Sequence, residues 1–416
     1  MLKASGSYKK NGFLLFMTIV LILSFDLAGS SGSDFDIRPK IGGSWMSESN
    51  YYRTESEEKA VYTYLLRPGL DLAFKTAKSL VELDYTLDAY FYDDRDSDVG
   101  GSSPDDYLGH TLTFKSRTNP THRLTLGLDD SFYLTRDPYQ SDILSNRRTR
   151  LEYWINRLTP RVVYRFGRRF TAGMRYRWTE LNYDREVFED SSEHRGIFNL
   201  IYSLNSRTHL DLQYQHWQMQ YKKNTPDYTS DQIELLFKKQ FHYLAVVAGG
   251  GYQDRRFDDT DQDDISTPTW KIGFDAQNPP SGGRLRTWGS LYFIQDLPIW
   301  DDAQDYYVAR RVVLEAGHVI RGRFPLRVEA AYQNSDYDRF TGLTPSGHLE
   351  TRDDDGYGIQ GSLGYLFSRD VLLSATAGYE KRDSNLVGLS YDNQYVMVEL
   401  SFAYEIGHRP ALRFPW

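Results

Sequence analysis

After residue 57, apolar and polar positions alternate almost throughout the chain. From Ala60 to Phe74, Tyr62, Tyr64, Leu66, Pro68, Leu70, Leu72 and Phe74 share one parity. Val61, Thr63, Leu65, Arg67, Gly69, Asp71 and Ala73 share the other. A period of two is the period of a β-strand, whose successive side chains point to opposite faces. One face here is apolar and the other mixes small, polar and charged groups. The next segment repeats the pattern, with Val81, Leu83, Tyr85, Leu87, Ala89 and Phe91 against Glu82, Asp84, Thr86, Asp88, Tyr90 and Tyr92. Near the C-terminus Val396, Val398, Leu400, Phe402 and Tyr404 alternate with Tyr395, Met397, Glu399, Ser401 and Ala403. A soluble sheet commonly uses strands of about 5–6 residues. These stretches reach the 9–11 residues that a tilted strand needs to cross a bilayer.

Turn signals divide the pattern. Short polar connections fall near 75–79, 117–122, 167–169, 204–208, 238–241, 279–283, 321–324 and 367–370. Longer, mostly acidic ones fall near 46–57, 93–106, 136–148, 184–193, 219–230, 254–267, 296–305, 336–355 and 383–392. Eight short and nine long connections alternate strictly, which predicts about eighteen strands. Short turns on one side and long loops on the other are the layout of an outer-membrane barrel. The predicted fold is all-β: one transmembrane antiparallel up-and-down barrel, with short periplasmic turns and long acidic extracellular loops. Closure follows from solvation, because an open strand edge in hydrocarbon leaves unpaired N–H and C=O groups, each costing several kcal/mol. Tyr62, Tyr64, Tyr90 and Tyr92 are expected at the interface as an aromatic girdle.

The N-terminus breaks the pattern. Lys3, Lys9 and Lys10 precede an apolar run from Phe13 to Phe25, and Ala28-Gly29-Ser30 follows. This is the anatomy of a secretory signal peptide. We read residues 1–30 as signal and 31–416 as the outer-membrane barrel of a Gram-negative bacterium. Ser30 stands where a lipoprotein signal would carry its cysteine, so no lipid anchor is expected.

Composition narrows the chemistry. The chain has no cysteine. That excludes disulfides, thiolate metal sites, iron–sulfur clusters and haem held through C-x-x-C-H. With 49 Lys+Arg against 57 Asp+Glu, it lacks the basic footprint of a nucleic-acid binder, and no nucleic-acid partner is expected. The mean hydropathy of −0.59 averages an apolar parity with a charged one and with acidic loops. Nine scattered histidines form no H-E-x-x-H, and neither G-x-S-x-G nor G-x-x-x-x-G-K occurs. No enzyme activity and no cofactor are expected.

The inward parity carries the candidate site. Arg157, Arg161 and Arg165 share it with Thr159, while Leu158, Pro160, Val162 and Tyr164 face out. Arg175, Arg177 and Thr179 follow on the next strand. Arg67, Asp71, Glu82, Asp84 and Asp88 face in on neighbouring strands. Arg311 with Glu315, then Arg327 with Glu329, repeat the pairing. A lipid-facing Arg costs about 2–4 kcal/mol at the midplane, which forces this parity inward. Such a lumen either selects polar solutes by its field or closes on its own salt bridges. Inward aromatics are Tyr90, Tyr92, Tyr133 and Trp217, the last with Gln213 and Gln215, a surface suited to sugar rings. Asp94, Asp96 and Asp98 have the opening spacing of a calcium loop, although Val99 stands where that loop wants glycine. They are a weak calcium candidate, and no other metal site is expected.

The last two strands carry a resemblance. Gly364-Tyr365-Leu366-Phe367-Ser368-Arg369 leads through Ala377-Gly378-Tyr379 to Arg382-Asp383-Ser384-Asn385, then Ser390-Tyr391-Asp392-Asn393 and the closing strand to Tyr404. This resembles the C-terminal hairpin of β-barrel porins found with exopolysaccharide export systems. Such barrels usually end on an aromatic of the last strand, whereas here Glu405–Trp416 follow. Phe414 and Trp416 then take over the assembly signal, or the tail tucks into the periplasmic mouth. The resemblance implies an outer-membrane channel for polysaccharide, working with a periplasmic polysaccharide-export protein. Its other partners would be outer-membrane lipid and the barrel-assembly machinery. Two alternatives stand beside it. One is a general diffusion porin, with the 336–355 loop folded into the lumen. The other is a barrel sheath around a partner such as a multihaem cytochrome conduit.

Overall fold

The computed structural model describes residues 34–94, 104–136, 151–185, 189–223, 225–259, 263–278, 287–298, 306–368 and 370–402. The predicted signal peptide, Asp96, Asp98, Phe414 and Trp416 lie outside the described residues. Among the described residues, eighteen strands follow one another. They are β1 (Asp34–Glu48), β2 (Val61–Lys75), β3 (Ser79–Asp94), β4 (Tyr107–Thr118), β5 (Leu124–Thr135) and β6 (Tyr153–Arg165). Then come β7 (Phe170–Tyr183), β8 (Ser191–Asn205), β9 (Thr208–Tyr221), β10 (Tyr228–Gln240), β11 (Leu244–Phe257) and β12 (Ile265–Asn278). The last six are β13 (Thr287–Asp296), β14 (Tyr307–Ile320), β15 (Phe324–Leu343), β16 (Leu349–Leu366), β17 (Val371–Ser384) and β18 (Tyr391–Phe402). Each strand pairs antiparallel with the next, and β1 pairs with β18, so the ladder closes into a barrel. At the closing seam Ile41–Glu48 run against Phe402–Tyr395.

Local chemistry accounts for the tight turns. Arg321 and Gly322 both have positive φ, 51° and 70°, and the Arg323 N–H donates to the Ile320 carbonyl at 3.1 Å. Two successive left-handed residues make a type I′ turn, whose twist matches that of a hairpin. Between β8 and β9 the Asn205 side chain accepts the Arg207 N–H at 2.9 Å, a local bond that reverses the chain.

The two parities separate as the sequence predicts. Exposed apolar side chains lie on the outer parity: Ile37 on β1, Leu66 on β2, Met174 on β7, Leu235 on β10, Ile359 on β16 and Val398 on β18. Towards the extracellular side the outer face meets tyrosines and histidines. Tyr85 bonds His110 at 2.9 Å, Tyr176 bonds His194 at 2.6 Å, and Tyr214 donates to Asp231 at 2.6 Å. Above this band the outer positions turn charged, with Asp254 and Arg256 on β11, and Asp353 and Asp355 on β16. The strands therefore rise beyond the hydrocarbon. Asp130 departs from the rule: its parity is outward, opposite Phe114 and Leu158.

Two expectations are corrected. Tyr62 and Tyr64 face out, but Tyr90 and Tyr92 belong to the inner face and stack there with Tyr107, so they are no part of the girdle. The 336–355 segment is not a loop folded into the lumen. It is the top of a long hairpin: β15 runs to Leu343, β16 starts at Leu349, and pairing resumes at Thr341–Thr351 after an irregularity. Pairing across strands keeps its polar backbone satisfied without a loop. Glycine also does more than turn the chain. A methyl group on Gly378 would lie 2.2 Å from Cζ of Tyr395, and one on Gly317 would lie 2.1 Å from Cζ2 of Trp288. Each glycine lets a large inward side chain of the neighbouring strand lie flat against the wall.

Candidate functional site

The inner wall divides into sectors. On β1–β3 the cations and anions match. Asp71 and Asp84 stand directly opposite each other, and Lys40 bridges them, at 2.8 Å from Asp71 and in contact with Asp84. Arg67 pairs with Asp88 at 2.8 Å. Glu82 stands opposite Lys115 of β4. Like charges directly opposite are destabilising, so Lys40 holds this part of the wall together. Sequence reasoning missed Lys40. Its signal was the alternation of Arg38 and Lys40 with Ile37, Pro39 and Ile41.

Sector β6–β8 is basic. Arg161 stands opposite Arg175, and Arg177 opposite Arg195. The neighbouring carboxylates are few: Asp129 lies 3.9 Å from Arg161, and Glu193 lies 2.8 Å from Arg177 and 3.4 Å from Arg195. Arg157 and Arg165 share the same face, opposite Thr179 and Thr171. Next along the wall, buried Asp211 is fully engaged. It accepts from Lys238 at 2.6 Å, Gln213 at 2.8 Å and Asn199 at 3.2 Å.

Sector β13–β18 returns to matched pairs, across strands and along one. Arg311 bonds Asp296 at 2.6 Å, and Arg327 lies 3.3 Å from Glu315 while also contacting Glu329. The expected Arg311–Glu315 pairing gives way to Asp296, which lies diagonally across on β13, whereas Arg327 keeps the expected Glu329 on its own strand and adds Glu315 diagonally across. Glu329 accepts from Gln360, which in turn accepts the Tyr395 hydroxyl at 2.7 Å.

Aromatics gather at the extracellular ends of the inner wall. Tyr90 and Tyr107 stack at 4.5 Å, with Tyr92 at 6.2 Å from each. Tyr133 packs with Tyr153, Ile155, Leu181 and Tyr183. Trp217 packs with Met219 and Tyr228, against Phe257 and Tyr306. Tyr307 and Tyr337 form a fourth group. The sequence carried an unread signal for this collar: Tyr107, Tyr153, Tyr228, Tyr307 and Tyr391 each begin a strand that descends from the long-loop side.

One long connection bends inward. In residues 49–60 the Asn50 N–H donates to Asn393 Oδ1 at 3.1 Å, and Arg53 Nε donates to Glu380 at 3.1 Å. Tyr51 meets Tyr92 at 5.6 Å, and Lys59 pairs with Asp94 at 2.6 Å. Arg53 and Glu57 hold positive φ, 52° and 58°, a conformation that non-glycine residues keep only where surrounding contacts impose it. The segment therefore straps the mouth from β3 to β17. Of the calcium candidates, Asp94 is engaged by Lys59. Among the described residues there is no group of three or more His, Cys, Asp or Glu placed to hold a metal.

A closed barrel with an apolar outside and a charged inside defines the class. The fold is that of a porin-like outer-membrane barrel, crossing by strands. The family described as "Putative beta-barrel porin 2" matches residues 301–404, which span β14 to β18. No curated protein matches the chain. Similar solved structures include OpdK with vanillate from Pseudomonas aeruginosa, at 13% identity, 89% of this chain, 99% of that chain and TM-score 0.47. OccK9 (OpdG) from the same organism shows 15% identity, 89% and 98% coverage, and TM-score 0.47. OccAB4 from Acinetobacter baumannii shows 9% identity, 90% and 98% coverage, and TM-score 0.47.

Proposed function

We propose that this channel passes polar, hydroxyl-rich solutes and serves exopolysaccharide export, with a periplasmic export protein delivering the polymer. The observation that carries the reading is the unequal inner wall. Arg157, Arg161, Arg175, Arg177 and Arg195 lie on β6–β8. Across the barrel, on β14–β18, Glu315 and Glu329 meet Arg327, and Glu380 meets Arg53. A basic sector facing a matched one leaves a field across the lumen, which orders polar solutes at the expense of apolar ones. Tyrosine and tryptophan edges beside amides suit successive sugar hydroxyls, each held weakly enough to release. The test has two parts. Purified protein in planar bilayers should conduct, and deleting the gene should reduce surface polysaccharide. No conductance together with unchanged polysaccharide overturns the reading.

A second reading, a general diffusion porin for small solutes, draws on the 49–60 strap, which lies against inner-wall residues of β3, β17 and β18. Deleting Tyr51–Glu58 separates the two. A small-solute porin should gain sugar flux in a liposome swelling assay. An export channel should instead gain its largest effect with longer saccharides.

A further inference from the structure

On the inner wall near the extracellular ends of β7–β11, one register row runs through Arg177, Arg195, Trp217, Ser230 and Arg255. Arg177 and Arg195 share one carboxylate, Glu193, at 2.8 Å and 3.4 Å. Asp227 and Glu189 act on Tyr306 together with Arg255, but among the described residues neither makes an ion pair with that guanidinium. Arg255 is 1% exposed and, among the described residues, donates only to the Pro298 carbonyl, at 3.3 Å. Its face covers Tyr228 at 4.4 Å and Tyr306 at 5.2 Å. Arg195, 5% exposed, lies over Trp217 at 4.0 Å and donates to Gln215 at 3.2 Å. Aromatic faces compensate only part of a buried charge, and burying an unpaired one is costly.

The same place collects unspent hydrogen-bonding atoms. Arg195 Nη2, Arg255 Nε, Trp217 Nε1, the hydroxyls of Tyr228 and Tyr306, and Glu193 Oε2 are buried with no hydrogen-bond partner among the described residues. Buried polar groups are almost always paired, so a cluster left open marks a place for something else. The donor set states its chemistry. Guanidinium forks match a carboxylate. The indole N–H and the phenols suit hydroxyl oxygens, and Glu193 Oε2 accepts from a hydroxyl. With the aromatic faces already covered by guanidinium, recognition is by edges rather than by stacking.

We propose that this cluster is a binding subsite for a carboxylated sugar unit, a uronic acid residue of a saccharide, at the extracellular mouth. It rests on the saccharide reading above and adds that the saccharide is anionic. The open guanidinium N–H groups of Arg195 and Arg255 call for the carboxylate, and the neutral donors with Glu193 Oε2 call for the ring hydroxyls.

The test uses the full chain in planar bilayers, with tetragalacturonate, its carboxyl-reduced neutral counterpart, and inorganic sulfate added on the extracellular side. Tetragalacturonate should interrupt the current at concentrations about tenfold lower than the neutral saccharide or sulfate, the ratio expected for one charge-assisted hydrogen-bonded contact. Arg195→Gln and Arg255→Gln should each weaken that block by about tenfold while the channel still opens. Arg255→Lys, which keeps the charge and loses the fork, should fall between. Equal block by acidic and neutral saccharides overturns the inference, as does block that is unchanged in both Gln variants. Sulfate matching tetragalacturonate reduces the site to a simple anion trap and also overturns it. If neither saccharide touches the current while salt conducts normally, the saccharide reading itself fails.

Discussion

Two stretches of the inner wall carry similar numbers of charges to opposite effect. On β1–β3, Lys40 sits between Asp71 and Asp84, and Arg67 reaches Asp88, so the charges neutralise locally. On β6–β8, Arg161 faces Arg175 and Arg177 faces Arg195, with Asp129 and Glu193 as the near carboxylates. The first arrangement joins neighbouring strands. The second leaves a field pointing into the lumen. Matched charge is structural and mismatched charge is available to a solute, because only the mismatched one retains a potential at a distance.

The comparison can be broken most strongly on the basic side. Arg161→Glu with Arg175→Glu should turn preference for anions into preference for cations, changing the permeability ratio by about thirtyfold, since about 1 kcal/mol is at stake for each of the two nearby charges in water. The reversal potential in a salt gradient reads this directly. A ratio that does not move would mean that the solute path avoids β6–β8. The matched side should respond in stability instead. Lys40→Met leaves Asp71 facing Asp84 and should lower the unfolding free energy by about 1–2 kcal/mol, seen as an earlier urea midpoint. Lys40→Met with Asp84→Asn should recover most of the loss. If it does not, Lys40 acts through packing rather than charge.

Smaller effects sharpen the outline. Gly378→Ala should force the Tyr395 ring off the wall into the lumen and lower the single-channel conductance, with the folded barrel retained on a semi-native gel. Conductance equal to that of the parent would show that Tyr395 lies outside the narrowest part. The smallest effect belongs to the outside. Arg256 is exposed beside Asp231 and Asp254, above the apolar belt. Arg256→Gln should leave selectivity unchanged and stability within about 0.5 kcal/mol.

Much of the barrel was legible in the residues. Parity placed Arg157, Arg161, Arg175 and Arg177 on one face because the strand period is two and does not depend on context. The alternation of short and long connections predicted the strand number for the same reason. The 336–355 segment was misread because its polar residues look like loop. Two strands standing above the hydrocarbon have no need of an apolar face, so the pattern that marks strands elsewhere is missing there. Arg195, Glu193 and Arg255 were readable as inward residues, but nothing in their spacing along the chain joins them.

What the sequence determined alone is what local physics dictates: the strand period, the turn chemistry, the absence of cysteine chemistry, and the separation of a lipid-facing parity from a polar one. Only the tertiary structure decided which inward charges meet. Arg311 turns to Asp296, Lys40 bridges Asp71 and Asp84, and Arg195 lies over Trp217. Each of these contacts depends on the register between strands and on the closing of β18 against β1. Register comes from how a whole apolar face settles against its neighbours, and closure from the cost of an unpaired edge in hydrocarbon. Neither quantity belongs to any single stretch of chain. The side of the wall was therefore written in the alternation, and the neighbours across it were written only in the closed barrel.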